Sequence, residues 1–320
     1  MVYRIGEGFA PSVTEVQTAL EAMPFVECGA SQDKSIGWIP PRGEAHGPLI
    51  ESVAGQWIMK LVIESKAVPG NVVRRKADER IAEIEAATGR KPGKKERRDL
   101  MDDVLLSLLP QAFARQSTVL VWMDLENRRL VLNAGSQGKA DEVMSALMNV
   151  MRGLSVSLIQ TATSPQAAMT QWLLAPSSDE WPADLTVERE TVLKSTGEDA
   201  ASVRFTRHHL VNDDVRKHVM EGKLPTQLAL SWDGRVAFVL TETFQLKKVQ
   251  FLDGVMDESG TDKDEDRFDA DVALSTGLLG PLIDSLIDAL GGEMALGVAA
   301  EPGDETTPPF LLKGPRPCSP

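Results

Sequence analysis

Few residues in this sequence could bind a metal ion. Of the four histidines, His208 and His209 are adjacent, so in a strand they would point to opposite faces and could not bind one ion. The acidic residues between Asp262 and Asp271 could hold Mg²⁺ for phosphodiester hydrolysis. A solvated acidic loop before a helix N-terminus, where carboxylates are favourable, explains the same run. We therefore predict no metal site and keep a metal-dependent nuclease as an alternative.

Motifs for nucleophilic catalysis or nucleotide binding are also weak. Ser31-Gln-Asp-Lys34 matches the Ser-x-x-Lys pattern of acylating hydrolases, but the other motifs of that class are absent. Gly138-Lys139 is followed by Ala140, where a phosphate-binding loop needs Ser or Thr. Because the sequence shows no nucleophile, base or cofactor loop, we predict that the protein is not an enzyme and uses no cofactor.

The charge of the chain is unevenly distributed. The 320 residues include 34 Lys and Arg against 47 Asp and Glu, and a net charge of −13 argues against nucleic acid as a partner if it is evenly spread. However, twelve basic and six acidic residues lie between Lys60 and Arg98, a local charge of +6 that leaves −19 for the rest. Between Asp253 and Asp271 the charge is −7. If the fold gathers the cations on one concave side, an acidic protein can still bind a polyanion.

The remaining composition predicts a cytoplasmic protein. The two cysteines, Cys28 and Cys318, cannot form a disulfide framework, which fits a reducing compartment. We find no apolar run of the roughly 18–20 residues that span a bilayer and no basic-then-apolar signal at the N-terminus. We therefore expect no membrane partner.

A basic helical hairpin is the most distinctive predicted element. Apolar residues at helical spacing predict helices over residues 74–88 and 96–109, and Gly89 and Pro110 are suited to end them. The connection 89–95 is short and contains four cations. We therefore expect two packed helices that protrude and carry basic charge at their tip, and a solvated surface element without a ligand is the alternative interpretation of that charge.

The other elements predict an α+β fold with antiparallel sheets and packed helices. Helices are also expected at residues 140–152, 213–221 and 266–290, and strands at residues 2–5, 57–64, 118–123, 128–132 and 201–206. Three further strands, at residues 227–232, 235–241 and 246–252, should form a meander, because Asp233-Gly234 suits a tight hairpin turn.

Residues 175–183, which are rich in Pro and Ser, predict a domain boundary. We expect a central α+β region of residues 1–70 and 117–175, and a basic helical hairpin with an interface segment of residues 71–116. Residues 176–296 should form a second α+β region with the meander and a C-terminal helix. Residues 297–320 lack periodicity and are expected to be a disordered tail.

Four stretches of the chain are similar, in order and spacing, to one known family. They begin at Ser31, Leu105, Leu228 and Arg267 and read SQDKSIGWIPP, LLSLLPQAFAR, LALSW and RFDAD, with LIDALGG following from Leu286. Over roughly residues 1–293 the sequence resembles the RdgC family of recombination-associated proteins. None of these stretches is a chemical motif, but four of them in the same order are specific.

The resemblance implies a horseshoe-shaped subunit that closes with a second copy into a homodimeric ring around double-stranded DNA, with single-stranded DNA as a further ligand. It implies no known catalytic activity, association with the nucleoid, and functional antagonism with RecA by limiting its access to DNA. A ring that is acidic outside and basic inside would explain the uneven charge. A protein-interaction module that acts directly on the recombinase remains an alternative.

The resemblance also suggests roles for individual residues. Phe113 matches an aromatic residue that fills a pocket of the other subunit at one ring interface, and a core phenylalanine is the alternative. Cations at positions where the family also has Lys or Arg are our candidates for DNA phosphate contacts: Arg74, Arg80, Arg90, Lys91, Lys94, Arg97, Arg115, Arg207, Lys223, Lys247 and Lys248.

Overall fold

The computed structural model describes residues 1–196, 201–252 and 264–294, and there it confirms the predicted α+β class with two antiparallel sheets. The helices are α1 (Val13–Glu21), α2 (Gly70–Thr88), α3 (Lys94–Leu108), α4 (Gln137–Val150), α5 (Pro165–Leu174), α6 (Asp213–Met220) and α7 (Asp264–Ala289). The first sheet contains β1 (Val2–Ile5), β2 (Lys34–Ile39), β3 (Ile50–Val53), β4 (Gln56–Lys66), β5 (Ala114–Asp124), β6 (Arg129–Leu132) and β7 (Val156–Leu158). The second contains β8 (Leu185–Ser195), β9 (Ser202–Thr206), β10 (Lys223–Trp232), β11 (Val236–Thr241) and β12 (Leu246–Phe251). The predicted tail lies outside the described residues.

Strands β4 and β5 form the centre of the first sheet, whose order is β2-β4-β5-β6-β1-β7, with β3 also paired to β4. They pair from Trp57 opposite Met123 to Lys66 opposite Ala114. The sequence predicted shorter strands, at residues 57–64 and 118–123. The ladder continues into residues that interrupt the apolar pattern: Ser65 and Lys66 of β4 are half-buried, and Arg115 and Gln116 of β5 are exposed.

The edge strand β2 is covered by the chain that precedes it. The Phe25 N–H donates to the Trp38 carbonyl at 3.0 Å, and the Trp38 N–H donates to the Met23 carbonyl at 3.0 Å. Gly37 permits this close approach, because a Cβ there would lie 2.3 Å from the Phe25 Cα. The edge is therefore closed by backbone hydrogen bonds.

The first sheet has an apolar core on each face. On one face it packs against α1 and α4, with Leu20 and Leu147 fully buried. The other face contributes Trp122 to a larger core that contains apolar residues of α5, α6, α7 and the second sheet. The two sheets therefore share one core, and the predicted division into regions stays a prediction.

Helix α7 crosses this shared core. Over Arg267–Ala289 it is long and apolar enough to span a membrane by length and composition alone, which the sequence reading did not anticipate. However, Leu282 and Leu286 are fully buried among residues of both sheets. The buried guanidinium of Arg129 donates to the Gly280 carbonyl at 3.0 Å and pairs with Asp284. One face of α7 is thus buried inside the fold.

The second sheet has the order β12-β11-β10-β8-β9. The predicted meander is confirmed, because β10, β11 and β12 are antiparallel neighbours. The turn at Asp233 (φ 50°) and Gly234 (φ 63°) has the left-handed conformation that a tight hairpin needs. Strand β8 was not predicted, although it pairs with both β10 and β9.

Candidate nucleic-acid interface

The predicted helical hairpin is present, and it has a small core of its own. Val73 and Ala77 of α2 pack against Val104 and Leu108 of α3, in a cluster separate from the two larger cores. Helix α2 begins four residues earlier than predicted and α3 two residues earlier. Because each helix buries only one narrow stripe, most of its polar side chains are exposed to solvent.

The tip of the hairpin is an ordered turn. Gly89, at φ 70°, ends α2, and its N–H donates to the Glu85 carbonyl at 2.8 Å. The carboxylate of Glu96 accepts from the Gly93 N–H at 2.7 Å and from the Arg90 guanidinium at 2.6 Å. These two interactions, the Gly93 bond first, lower the pKa of Glu96. The carboxylate therefore both caps α3 and fixes Arg90.

Cations occupy the start of α3, where they oppose the helix dipole. Lys94 is the first helical residue, Arg97 follows one turn later, and both side chains are exposed. A cation in the first turn destabilises an exposed helix by about 0.3–1 kcal/mol. Lys94 and Arg97 therefore do not stabilise α3 through its dipole, whereas Glu96 in the same turn does.

Carboxylates of the same chain already neutralise some of the candidate cations. These cations form ion pairs at 2.6–3.8 Å: Arg90 with Glu96, Lys91 with Glu85, Lys223 with Glu221, and Lys248 with Glu190. Lys223 also lies 3.1 Å from the His218 Nδ1. A phosphate would have to displace a carboxylate at each of these positions.

The other candidate cations are exposed and make no ion pair within the described residues. They are Arg74, Arg80, Lys94, Arg97, Arg115, Arg207 and Lys247. The first four are on the hairpin, Arg115 is near the start of β5, and the last two belong to the second sheet and its connections. That these three groups face one DNA duplex stays a prediction.

Phe113 lies on the surface, so the alternative of a core phenylalanine is wrong. It joins a short 3-10 turn, Leu109–Gln111, to strand β5, and its side chain is 95% exposed. Leu106 of α3 is also exposed. Single exposed apolar side chains are common on protein surfaces, and the position of Phe113 leaves it accessible to a partner or a ligand. The predicted role in a dimer stays a prediction.

A polar cavity of about 460 Å³ lies beside the segment that bears Phe113, and Ala114 forms part of its wall. Its most buried group, Glu64, accepts from the Cys28 N–H at 2.6 Å and from the Gln116 side chain at 2.7 Å. The Gln116 bond, followed by the Cys28 bond, lowers the pKa of Glu64, whereas burial raises the pKa of the Cys28 thiol. Both oxygens of the carboxylate are occupied, and the thiol is held in its less reactive form.

Carboxylates of the predicted acidic run have partners where the structure describes them. Asp269 pairs with Arg42 at 2.6 Å, and Asp271 lies 4.0 Å from Arg267. Residues 253–263 are outside the described ranges. Across those ranges, no group of three or more His, Cys, Asp or Glu could hold a metal ion. His208 and His209 follow β9 in a loop, so the strand geometry that we assumed for them does not apply.

Sequence reasoning missed the residues that surround Lys248. Its ammonium group meets the carboxylate of Glu190 on β8, which also binds Arg204 of β9. The sequence signal was the apolar and β-branched residues at Leu185–Val187 and Thr191–Leu193, which favour a strand. Without β8, the position of Glu190 could not be inferred.

The comparisons with known proteins agree over most of the chain. A family model described as "Putative exonuclease, RdgC" matches residues 1–293. The protein named "Recombination-associated protein RdgC" from Dechloromonas aromatica is 37% identical over 298 residues, which cover 92% of this chain and 96% of that protein. Proteins of the same name from Herminiimonas arsenicoxydans and Cupriavidus pinatubonensis are 40% and 39% identical, over 92% and 91% of this chain and 97% of each relative. The chain belongs to the RdgC family.

Proposed function

We propose that this protein is a non-catalytic, sequence-nonspecific binder of double-stranded DNA that encircles its ligand as a homodimeric ring. It acts in the cytoplasm, on the nucleoid, and modulates homologous recombination by limiting the access of RecA to DNA. The name of the relatives, "Recombination-associated protein RdgC", supports the link to recombination.

One observation carries the proposal. The hairpin presents exposed cations, including Lys94 and Arg97, that have no carboxylate partner within the described residues, although the chain as a whole has a net charge of −13. Cations that are left unneutralised in an acidic protein can release counterions from a DNA backbone. Neither helix of the hairpin offers the pattern of a recognition element for base edges, so we expect little sequence preference.

The exposed side chain of Phe113 supports the homodimer. In a two-fold symmetric interface the same patch contacts its own copy, so one exposed aromatic residue provides two anchors. Aromatic residues are enriched among the side chains that dominate binding energy in protein interfaces.

The proposal is tested by titrating linear and closed circular duplexes of equal length at increasing salt, with the oligomeric state measured by sedimentation. A closed ring should remain on circular DNA at salt concentrations that release it from linear DNA, because a linear duplex lets the ring slide off its ends. Binding that is absent at low salt, or a monomer at concentrations that saturate DNA, would contradict the proposal.

The family description "Putative exonuclease, RdgC" favours a second candidate, a nuclease. The sequence offers the acids between Asp262 and Asp271 as its metal-binding residues. The same two DNA substrates distinguish it. An exonuclease with bound Mg²⁺ would shorten the linear duplex and leave the closed circle intact. Linear DNA that keeps its full length after incubation with Mg²⁺ would support the non-catalytic function.

A module that acts directly on the recombinase is the third candidate from the sequence. It predicts a complex with RecA in the absence of DNA. If RecA activity falls only when the protein has bound the DNA substrate, this candidate is excluded.

A further inference from the structure

The carboxylate of Glu190 on β8 binds two cations from different strands. The Arg204 guanidinium on β9 donates to its Oε1 at 2.6 Å, and the Lys248 ammonium on β12 lies 2.9 Å from Oε1 and 3.1 Å from Oε2. These contacts, that of Lys248 first, lower the pKa of Glu190. Two cations therefore converge on a point that an anion must occupy.

The position of Lys248 requires an unusual local backbone. Between the pairs Ala237 with Gln250 and Val239 with Lys247, strand β12 has two residues opposite one of β11, which is a β-bulge. Lys248 is the first bulged residue, and its φ of 51° is in the left-handed region that favours glycine. Bulges re-aim side chains, and here the chain accepts backbone strain at a lysine.

The sheet must also curl for this contact to form. Strands β12 and β8 are separated by β11 and β10 in the sheet order, so in a flat sheet they would lie about 14 Å apart. A lysine side chain cannot span that distance to a glutamate and still form a hydrogen bond. Register shifts in the pairing of β10 with β8, near Pro225 and Leu228, are sites where the sheet bends.

The two cations remain accessible to a ligand. The side chains of Lys248 and Arg204 are 56% and 57% exposed, whereas that of Glu190 is 25% exposed. An exposed ion pair typically changes the equilibrium constant for folding by well under a factor of ten. A polyanion can therefore break these pairs. Arg204 was not among the DNA contacts that the family resemblance suggested, and Lys248 was included without regard to its partner.

We propose that Lys248 and Arg204 form a binding site for a backbone phosphate of DNA, in which the phosphate replaces the carboxylate of Glu190. This inference rests on the proposed DNA-binding function and adds a role for Glu190. The carboxylate of Glu190 occupies the site when no DNA is bound. It therefore lowers the affinity for DNA and, as an internal competitor of the phosphate, assists the release of DNA.

The test compares Glu190→Gln with Glu188→Gln in the full chain. Both residues are on β8, two positions apart, and both substitutions remove one negative charge. Glu188 accepts a hydrogen bond from the Ser231 hydroxyl at 2.8 Å and makes no ion pair within the described residues. Glu188→Gln thus controls for the change in net charge.

Affinity for a duplex of random sequence should rise about three- to tenfold in Glu190→Gln at physiological salt, because two exposed ion pairs no longer have to be broken. In Glu188→Gln it should change less than about twofold. Adding Lys248→Gln and Arg204→Gln to Glu190→Gln should abolish the gain. Equal effects of the two glutamine variants would overturn the inference. Failure of the wild-type protein to bind DNA would instead overturn the proposed function.

A second variant tests the site independently of Glu190. Lys248→Gly removes the cation and places at φ 51° the residue that best tolerates this conformation, so the fold should be retained. We expect an unchanged or raised melting temperature together with weaker DNA binding. DNA affinity equal to that of the wild type would contradict a phosphate contact at Lys248.

Discussion

The hairpin tip allows neutralised and unneutralised cations to be compared within one turn. Lys94 and Arg97 have no ion pair within the described residues, whereas Arg90 and Lys91 pair with Glu96 and Glu85. We therefore compare two double variants. One combines Lys94→Gln and Arg97→Gln, and the other combines Arg90→Gln and Lys91→Gln. Both variants lose two positive charges from the same surface.

The expected magnitude follows from counterion release. Each neutralised phosphate of duplex DNA contributes about 0.9 to the slope of log affinity against log salt concentration. Loss of two unpaired contacts should lower the slope by about 1.8, which corresponds to about a twelvefold change in relative affinity between roughly 50 and 200 mM salt. Loss of Arg90 and Lys91 should lower it much less, because bound DNA would first have to displace their carboxylates.

The substitutions at the hairpin tip should not lower DNA affinity by destabilising the fold. Removing Lys94 from the first turn of α3 relieves an unfavourable interaction with the helix dipole, so we expect equal or slightly higher stability by about 0.3–1 kcal/mol. Fluorescence anisotropy on two duplexes of unrelated sequence, over a series of salt concentrations, measures both slopes. Equal losses in the two variants would refute the argument that ion pairing selects the DNA contacts. A loss on only one duplex would refute nonspecific binding.

Three further outcomes are expected. Phe113→Ala should weaken the dimer by about 2–4 kcal/mol in sedimentation, because it removes an aromatic anchor. Met220→Ala, at another exposed apolar side chain, should leave the dimer affinity unchanged, and equal affinities of the two variants would contradict the role of Phe113. Gly37→Ala should destabilise the fold by about 1–3 kcal/mol in chemical denaturation, because the alanine Cβ would overlap the backbone of Phe25. An unchanged denaturation midpoint would exclude the close approach of Gly37 to Phe25. The carboxylate of Glu190 has a lowered pKa, so it stabilises the fold above its ordinary value of 4.5 and loses this contribution as pH falls through the lowered pKa. The stability difference from Glu190→Gln should therefore shrink in acid, and a difference that stays constant to low pH would contradict it.

Local patterns were sufficient to predict much of the fold. The apolar stripes of α2 and α3 and the turn at Asp233-Gly234 act over a few residues, and both features were confirmed. Strand β8 was missed because the consecutive charges Glu188, Arg189 and Glu190 interrupt its apolar residues, so its average hydrophobicity resembles that of a loop. The full length of β5 was missed for a similar reason, since its first residues are exposed.

The candidate site was only partly predictable. The sequence identified the hairpin and its cations, but it left open whether Phe113 is a core residue, because an aromatic side chain between a turn and a strand suits either environment. Its exposure depends on what the rest of the fold places nearby. The contact of Lys248 was also hidden, because Glu190 lies 58 positions away along the chain and meets Lys248 only in a curled sheet.

The sequence by itself determined the segregation of charge, the basic hairpin and membership of the family, because each depends on residue order alone. Only the tertiary structure decided which cations are neutralised. Lys94 and Arg90 are both cations in one basic stretch of the sequence. Lys94 is exposed without an ion-pair partner in the described residues, whereas Arg90 lies 2.6 Å from Glu96. The physical reason is that an ion pair depends on a distance through space of a few ångströms, which the turn at Gly89 and the curl of the second sheet set.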